Sequence, residues 1–459
     1  MRHYDPRDEA DVVVVGTGAG GAPMLAELAR AGLRVIALEA GPFFDPAEHT
    51  PDEIDAAEIN WMDERLCGGA DPMAFGPNNS GRGVGGSTLH WGAFTPRPTA
   101  GQLRLRTETG LGRDWPFDSA ELLPFLLRAE ADLGVSGPRD YPWDPDRSYR
   151  YPPAARNASA QNMATGCRAL GIRTADAPAA VLTAPRLQHG MPREACIACG
   201  TCHQGCRTGA KATMGTTYLP AAIANGAEIR AGAMVHTIET DATGRVHAVV
   251  YRQDGVEIRQ ACRALVLSAG GVETPRLLLA NDLANGSGQV GRNFLAHPAT
   301  QVWGTFTEQQ RSYRGYPSSL ITEDFLAPAN ADFAGGYLIQ SLGVMPLTFA
   351  TSLVRGGGLW GANEKALIRH ATDTMIRILE AAGATSTRVL DRTAHTLGTC
   401  RMSAHPDDGV VDAAGRSHEV DNLWIVDNST FPSALAANPA LTQVALALRS
   451  AERLLAARG

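Results

Sequence analysis

The chain opens with a change of rhythm. Asp11-Val12-Val13-Val14-Val15 is a short apolar, β-branched run with no polar alternation. Such a run, bounded by turn residues, predicts a strand buried on both faces in a parallel sheet. From Met24 the apolar positions fall at helical spacing, with Leu25, Leu28 and Ala29 on one side and Gly32 as the stop. Val35-Ile36-Ala37-Leu38 then restores the strand pattern. Strand, helix and strand in immediate succession predict a βαβ unit.

Similar alternation continues along the chain. Gly41 to Asn79 is polar and broken by Pro42, Pro46, Pro51, Pro72 and Pro77, with one short helix expected near Asp52 to Leu66. Asp118 or Ser119 is a good N-cap for a helix whose apolar stripe runs from Glu121 to Leu133. Gly137 to Pro153, rich in proline, tyrosine and arginine, reads as a surface loop, and Asn157 to Gly171 as a helix. Ala221 to Gly226 finishes another helix and Glu228-Ile229-Arg230 is a strand. Arg245 to Val250 and Val256 to Ala261 predict a hairpin around Asp254-Gly255. Leu265-Val266-Leu267 is a second buried strand ending in Gly270-Gly271, and Thr274 opens a helix with Pro275 near its first position. Glu364 to Ala382 and Thr442 to Leu455 supply two further helices. The fold class is therefore α/β.

The turn after the first strand adds chemistry. Gly16-Thr17-Gly18-Ala19-Gly20-Gly21 fits G-x-G-x-x-G. Gly16 allows a tight turn, Gly18 lets backbone approach a pyrophosphate, and Gly21 lets helix and strand pack closely. The helix N-terminus offers unpaired N–H groups and a positive dipole end to phosphates. Glu39, at the end of the second strand, is placed to accept hydrogen bonds from a ribose diol. An acid there favours FAD or NAD over NADP. Glycine turns are common; the flanking strand, helix, strand and acid make this one specific.

Length and charge narrow the picture. The chain of 459 residues predicts two or more domain-sized units. A net charge of −7 argues against nucleic acid or an anionic membrane as the main partner. No apolar run reaches the length of a membrane span. The polar N-terminal residues show no signal peptide, so the expected location is cytoplasmic, with periplasmic co-export alongside a signal-bearing partner as the alternative.

Eight cysteines are present, and Cys196, Cys199, Cys202 and Cys206 fall within eleven residues. The spacing C-x2-C-x2-C-x3-C is that of a bacterial ferredoxin loop. It points to a metal or redox site rather than a disulfide framework. Arg207, not proline, follows Cys206, and a remote ligand would come from Cys67, Cys167, Cys262 or Cys400. Three ligands would suit a 3Fe–4S cluster and four a 4Fe–4S cluster. Zinc fits overlapping C-x2-C units less well. A purely structural run is the remaining alternative.

Two more stretches carry a resemblance. Arg82-Gly83-Val84-Gly85-Gly86-Ser87-Thr88-Leu89-His90-Trp91-Gly92 is glycine-dense, and Ala394-His395-Thr396-Leu397-Gly398-Thr399-Cys400-Arg401-Met402 precedes Asp427 and Ala437-Asn438-Pro439-Ala440-Leu441-Thr442. Together with the opening motif, these resemble the glucose-methanol-choline (GMC) oxidoreductases, which are FAD enzymes. Within that family the likeness is to bacterial sugar and glycoside dehydrogenases and pyranose oxidases. It covers most of the chain, with gaps at about 40 to 75, 137 to 195 and 301 to 365.

The resemblance implies a Rossmann-like FAD-binding domain from 1–110, 190–300 and 395–459, and a smaller α+β substrate domain, built on a β-sheet, from 111–189 and 301–394. It implies that Arg82, Gly85, Gly86 and Ser87 pass the pyrophosphate toward the flavin. Val235 would meet the adenine, Asp427 the ribityl or pyrophosphate region, and Pro439 would lie beside the cofactor. His90 holds the position that some relatives join covalently to flavin; the alternative is that it only packs on the ring. His395 and Asn438, 43 residues apart, match the catalytic pair. His297, in Asn293-Phe294-Leu295-Ala296-His297-Pro298, is expected to be structural. Relatives spend more residues before the C-terminal motif, whereas here Gly356-Gly357-Gly358-Leu359-Trp360-Gly361 runs almost directly into the next helix.

The implied chemistry is oxidation of an alcohol, with hydride transfer to flavin N5 and His395 as base. A sugar or glycoside hydroxyl is the expected substrate, from the His90-Trp91 pair and the cysteine run. The electrons would pass to a non-oxygen acceptor, through an Fe–S cluster if one is present, with a small subunit or cytochrome c as the partner. The rivals are an oxidase making hydrogen peroxide, an electron-transfer flavoprotein subunit, and an NAD-dependent dehydrogenase.

Overall fold

The computed structural model describes residues 2–63, 65–68, 73–75, 80–352 and 360–458. The valine run forms the strand Val12–Val15, buried at every position, in the middle of a five-stranded sheet. The sheet order is Leu423–Ile425, Leu265–Leu267, Val12–Val15, Val35–Leu38 and Glu228–Arg230. All four pairings are parallel, with Val14 opposite Val266 on one side and Ala37 on the other. Helix Gly21–Arg30 packs against helices Tyr218–Ala224 and Pro439–Ala456. The chain moves outward one way from the central strand, then returns to add strands on its other side. That reversal makes a crevice at the carboxyl ends of the strands, where open α/β sheets bind ligands.

The predicted hairpin forms from strands Val246–Gln253 and Val256–Ala261, joined by Met234–Thr240 into an antiparallel sheet. Asp254 and Gly255 both have positive φ, as the tight turn between strands requires. Asp118 and Asn157 cap their helices through the backbone N–H groups of Glu121 and Ala160. Among the described residues no helix is long and apolar enough to cross a membrane.

The rest of the chain departs from expectation in instructive ways. Residues 301–390 do not form one broad sheet. Gln301–Thr305 pairs with Ser386–Leu390, while Leu320–Thr322 lies between Ala175–Asp176 and Ile339–Gln340. Proline- and glycine-rich connections keep these ladders short. Helices Ala158–Ala169 and Ala362–Ala381 pack so closely that a Cβ on Gly166 would lie 1.9 Å from the Ile378 carbonyl oxygen. The helix expected near Asp52 to Leu66 is a 3₁₀ turn at Asp55–Ile59 followed by a strand at Arg65–Cys67, because the stretch lacks an apolar stripe. The 137–153 stretch is an irregular loop with Pro142, Pro145 and Arg150 exposed, but it is pinned to the body by buried side chains. Tyr141, Arg147 and Tyr151 are buried; the Tyr141 hydroxyl donates to Glu323 at 2.8 Å, and Arg147 pairs with Glu130 at 3.2 Å.

Two helices start earlier than their sequence signals. The last begins at Pro439, its N1 residue. The other runs Gly270–Ala280, with Pro275 inside it. Pro275 has no N–H for the carbonyl of Gly271 four residues back. The Thr399 hydroxyl donates to that carbonyl instead, at 2.6 Å. Gly356 to Leu359 lie outside the described residues, as does the side chain of Cys67.

Candidate active site

A cavity of about 1620 Å3 opens at the carboxyl ends of the parallel strands. This exceeds the roughly 300–1,000 Å3 of an ordinary small-molecule site. It leaves room for a dinucleotide with a substrate beside it.

One end is built from backbone. Gly16 has φ +93°, and a Cβ there would lie 2.3 Å from the Ser268 carbonyl oxygen. A Cβ on Gly20 would meet Val426 O at 1.7 Å, and one on Gly21 would meet Gly16 O at 2.0 Å. Gly18 is different, with only the Gly86 Cα at 3.7 Å, so the space left by its missing side chain belongs to the cavity. The Gly81–Trp91 loop backs onto this turn, and the Gly85 N–H donates to Thr17 Oγ1 at 3.1 Å. Thr17 in turn donates to Glu39 from its N–H at 3.0 Å and its hydroxyl at 2.8 Å, while the Gly41 N–H donates to the other carboxylate oxygen at 3.0 Å. Burial pushes the Glu39 pKa up and these donors pull it back. Each carboxylate oxygen keeps accepting capacity for a further donor.

Glu39, Gly86, Ser87, Val235 and Asp427 line the cavity together with Gly16 and Gly18. Asp427 accepts from the Gly270 N–H at 2.9 Å, the Thr274 hydroxyl at 2.6 Å and the Ser429 N–H at 2.9 Å, so it also anchors the Gly270–Ala280 helix. Gly21, Arg82 and Gly85 stand behind the wall, not on it. Arg82 lies over the Trp61 ring, 5.3 Å from its centroid.

His90 follows the 3₁₀ turn Gly86–Leu89 and reaches the cavity, and its Nε2 is buried without a hydrogen-bond partner. Burial and the nearby Lys211 charge push its pKa down to about 3. The backbone carbonyl of His90 lies 3.0 Å from His203 Nδ1. Lys211 Nζ donates to the carbonyls of Leu89 at 2.8 Å, Trp91 at 3.3 Å and Cys202 at 2.5 Å. Together these contacts lace the cysteine segment to the loop that carries His90. Neither His203 nor Lys211 stood out in the sequence, since each sits in a motif dominated by other residues.

The other end is built from side chains. Leu295–Pro298 pairs with Thr393–Leu397 antiparallel, with Leu295 opposite Leu397 and His297 opposite Ala394. Two steps along one strand are matched by three along the other, which makes a β-bulge. His395 lies in the bulge at φ +61°. Left-handed backbone is rare outside glycine and clusters at functional sites, and bulges re-aim side chains. His395 lines the cavity, and its Nδ1 lies 2.7 Å from His297 Nδ1. Burial, then the charge that His297 carries when protonated and that of Arg392, push the His395 pKa well below the usual histidine value. Burial likewise lowers His297 to about 4. His297 therefore touches the expected base and is not remote from the chemistry. The sequence signal was a histidine beside a strand that pairs with the catalytic one, invisible without the pairing.

Asn438 is the N-cap residue of the final helix, yet its side chain makes no capping bond. Its amide is left for the cavity, which Asn438 and Pro439 both line.

The cysteine run sits apart from this chemistry. Cys196, Cys199, Cys202 and Cys206 line a separate void of about 20 Å3. The Ala198 and Lys211 N–H groups donate to the sulfurs of Cys196 at 3.4 Å and Cys206 at 3.3 Å. Burial pushes Cys202 up to about 12 and raises Cys196. Among the described residues no three cysteine, histidine or carboxylate side chains converge to hold a metal ion.

The residues present fit FAD. The floor at Gly18 admits close approach, and the orphaned polar atoms on the cavity wall include His90 Nε2, His297 Nε2 and both amide atoms of Gln443. Buried polar groups without partners are rare in a native protein, so these call for a polar ligand.

Comparison with known proteins agrees. The N- and C-terminal profiles described as GMC oxidoreductase match residues 77–299 and 352–447. The 2-methyl-1,2-propanediol dehydrogenase of Mycolicibacterium austroafricanum is 30% identical over 97% of this chain and 95% of its own length. That alignment runs over 538 positions against 459 residues here, so the relative carries segments this chain lacks. The fructose dehydrogenase large subunit of Gluconobacter japonicus is 26% identical over 97% of this chain and 98% of its own length. Among solved structures, pyridoxine 4-oxidase from Mesorbium loti shares the fold, with a TM-score of 0.64 at 18% identity over 98% of this chain and 99% of its own. With both profiles matched and the glycine cradle in place, the chain belongs to the GMC oxidoreductases and is an FAD-dependent enzyme acting on CH–OH groups.

Proposed function

We propose that the chain is a dehydrogenase for a sugar or glycoside hydroxyl, with His395 as base and an acceptor other than oxygen. The observation that carries this reading is His395 itself, strained into the bulge at φ +61° and presented to the cavity that the glycine cradle also lines. Gly16, Gly18, Glu39, Gly86, Ser87, Val235, Asp427 and Pro439 would hold FAD, with Gly21, Arg82 and Gly85 shaping the cradle from behind. When bound, FAD supplies the hydride acceptor. His395 takes the hydroxyl proton at Nε2, and its depressed pKa keeps it in the accepting form at neutral pH. Asn438 orients the hydroxyl by hydrogen bonding without adding charge. Residues 1–110, 190–300 and 395–459 would serve the cofactor, and 111–189 and 301–394 the substrate.

Amide side chains of Gln301, Gln340 and Asn162 line the cavity and suit several hydroxyls. The fructose dehydrogenase relative supports the sugar reading and, as a large subunit, a partner such as a small subunit or cytochrome c. A small aliphatic diol is the second reading, supported by the apolar wall of Trp303, Leu338, Met375 and Ile378 and by the propanediol-acting relative. Comparing kcat/KM for a hexose and a branched diol decides between them. Oxygen uptake matching substrate oxidation would move the chain to the oxidases.

Two finer points have direct assays. His90 Nε2, buried and unpartnered, supports covalent attachment, and flavin that stays with the acid-denatured chain would establish it. The shared void and the N–H groups aimed at two sulfurs support an Fe–S cluster at Cys196–Cys206, while the lack of convergence supports a packed thiol loop. Three or four irons per flavin would establish the cluster; none would make the run structural. Location in the cytoplasm or, by co-export, the periplasm follows the partner.

The His395→Gln variant tests the base. It should lose about 10²–10⁴-fold in kcat/KM with unchanged flavin content. A rate within severalfold of the parent would overturn the assignment.

A further inference from the structure

We propose that His297 is the positioning partner of His395, an imidazole placed where a carboxylate commonly stands behind a histidine base, and that it fixes the tautomer of His395 and shares its acquired proton. The proposal rests on His395 being the base.

The two Nδ1 atoms lie 2.7 Å apart. Their rings meet edge to face, with centroids 4.8 Å apart and planes at 84°. One nitrogen in such a contact must carry hydrogen and the other a lone pair. Among the described residues no other hydrogen bond engages the His395 ring, so Nε2 is left for the cavity. If Nε2 is to accept a proton, Nδ1 of His395 must be the donor. His297 then accepts at Nδ1 and carries its own hydrogen on Nε2.

The surroundings of His297 favour that arrangement. The Leu435 carbonyl lies beside its ring and favours a proton there. Nε2 of His297 is buried and makes no full hydrogen bond. The opposite tautomers would leave a bare, buried Nε2 lone pair on His297 with no donor to it among the described residues. They would also present an N–H of His395 to the substrate, which cannot accept a proton.

The proton then has one place to spread. Among the described residues, the charged and titratable groups that reach His395 are His297 on the facing strand and Arg392 on its own segment. No carboxylate is among them, and Arg392 opposes a positive charge on the base. As the alcohol O–H bond breaks, its electron pair stays on oxygen and an N–H bond forms at His395 Nε2. The imidazolium so formed donates its Nδ1–H to His297, a neutral acceptor that lowers the energy of the cation. The bulge is what permits this, since a regular ladder would send residue 395 to the other face.

The test uses ¹⁵N-histidine-labelled protein and two variants. In the parent at neutral pH, the nitrogen spectrum should show His395 in the Nδ1–H form. His297→Leu should lose about 10–100-fold in kcat with little change in KM. Its acidic limb of kcat/KM should move to lower pH, because the acceptor that stabilises the imidazolium is gone. His297→Asn, which keeps an accepting oxygen, should recover most of the rate. An Nε2–H tautomer for His395 in the parent would overturn the proposal. So would a full rate in His297→Leu, or an acidic limb that stays put or moves up. The spectrum of the parent decides even if the leucine variant does not fold. An active His395→Gln variant would instead sink the base itself, whatever His297 does.

Discussion

The two ends of the cavity are made of different material. At the cradle, function depends on side chains that are missing. Gly16, Gly20 and Gly21 each stand where a Cβ would collide with backbone oxygen, and Gly18 where it would enter the cavity. At the proposed catalytic end, function would depend on side chains that are present at a conformational cost. His395 keeps a Cβ in left-handed backbone, and Asn438 withholds its amide from the helix it starts. The cradle is a stretch of local geometry that also holds the sheet together. The catalytic end is a set of aimed groups that the fold tolerates and does not need.

That contrast can be broken by substitution. Gly20→Ala should have the largest effect, since its Cβ would lie 1.7 Å from the Val426 carbonyl oxygen, on a neighbouring strand end that cannot retreat. A loss of about 4 kcal/mol or more is expected, seen as a chain that does not accumulate folded. His395→Gly should act in the opposite sense. Glycine suits φ +61°, so thermal stability should hold or rise by about 1 kcal/mol. Its kcat/KM should nevertheless fall about 10²–10⁴-fold. If both variants unfold, the catalytic end is as structural as the cradle and the contrast is wrong.

Gly18→Ala sharpens the point within the cradle itself. Its nearest neighbour would be 3.7 Å away, an ordinary contact, so the chain should fold with near-parent stability. Flavin affinity, followed by titrating FAD into stripped protein, should weaken about tenfold or more, a loss of about 1.4 kcal/mol or more. Parent affinity would mean that no backbone approach to the cofactor occurs there.

A smaller, graded effect comes from pH. Burial holds His90 near 3 and His203 and His297 near 4, below the 6.5 of an unfolded histidine. The unfolded chain therefore binds more protons between about pH 4 and 6.5, and stability rises with pH across that window. It should be fully present above pH 6.5 and lost as the pH falls toward 4. Melting temperatures across this range check it, and replacing His203 with Gln should flatten the slope. A flat profile in the parent would mean that these rings are not held neutral.

The cradle was legible in the sequence because its determinants are contiguous. Strand, glycine turn, helix, strand and acid lie between Asp11 and Gly41, and Asp118 and Asn157 cap helices through bonds three residues away. The proposed catalytic pair, His395 and Asn438, carried their motifs with them. What was illegible depended on partners far along the chain. Pro275 reads as a helix start until Thr399 is seen to satisfy the carbonyl that proline leaves bare. The 137–153 stretch reads as solvated until Glu130 and Glu323 are seen beside Arg147 and Tyr141. The contact between His297 and His395 stays hidden until the strand bearing His297 is paired with the bulge at His395. The cysteine run is the reverse case: its spacing is sharp in the sequence, and the four cysteines line one small void.

The most direct measurement is anaerobic mixing of the purified yellow protein with an oxidisable alcohol, following the flavin colour in the parent and in His395→Gly. The account predicts equal flavin content in both, prompt bleaching in the parent, and bleaching slowed about 10²–10⁴-fold in the variant. A colourless parent would contradict the cradle as an FAD site. Equal bleaching rates would contradict His395 as the group that takes the proton.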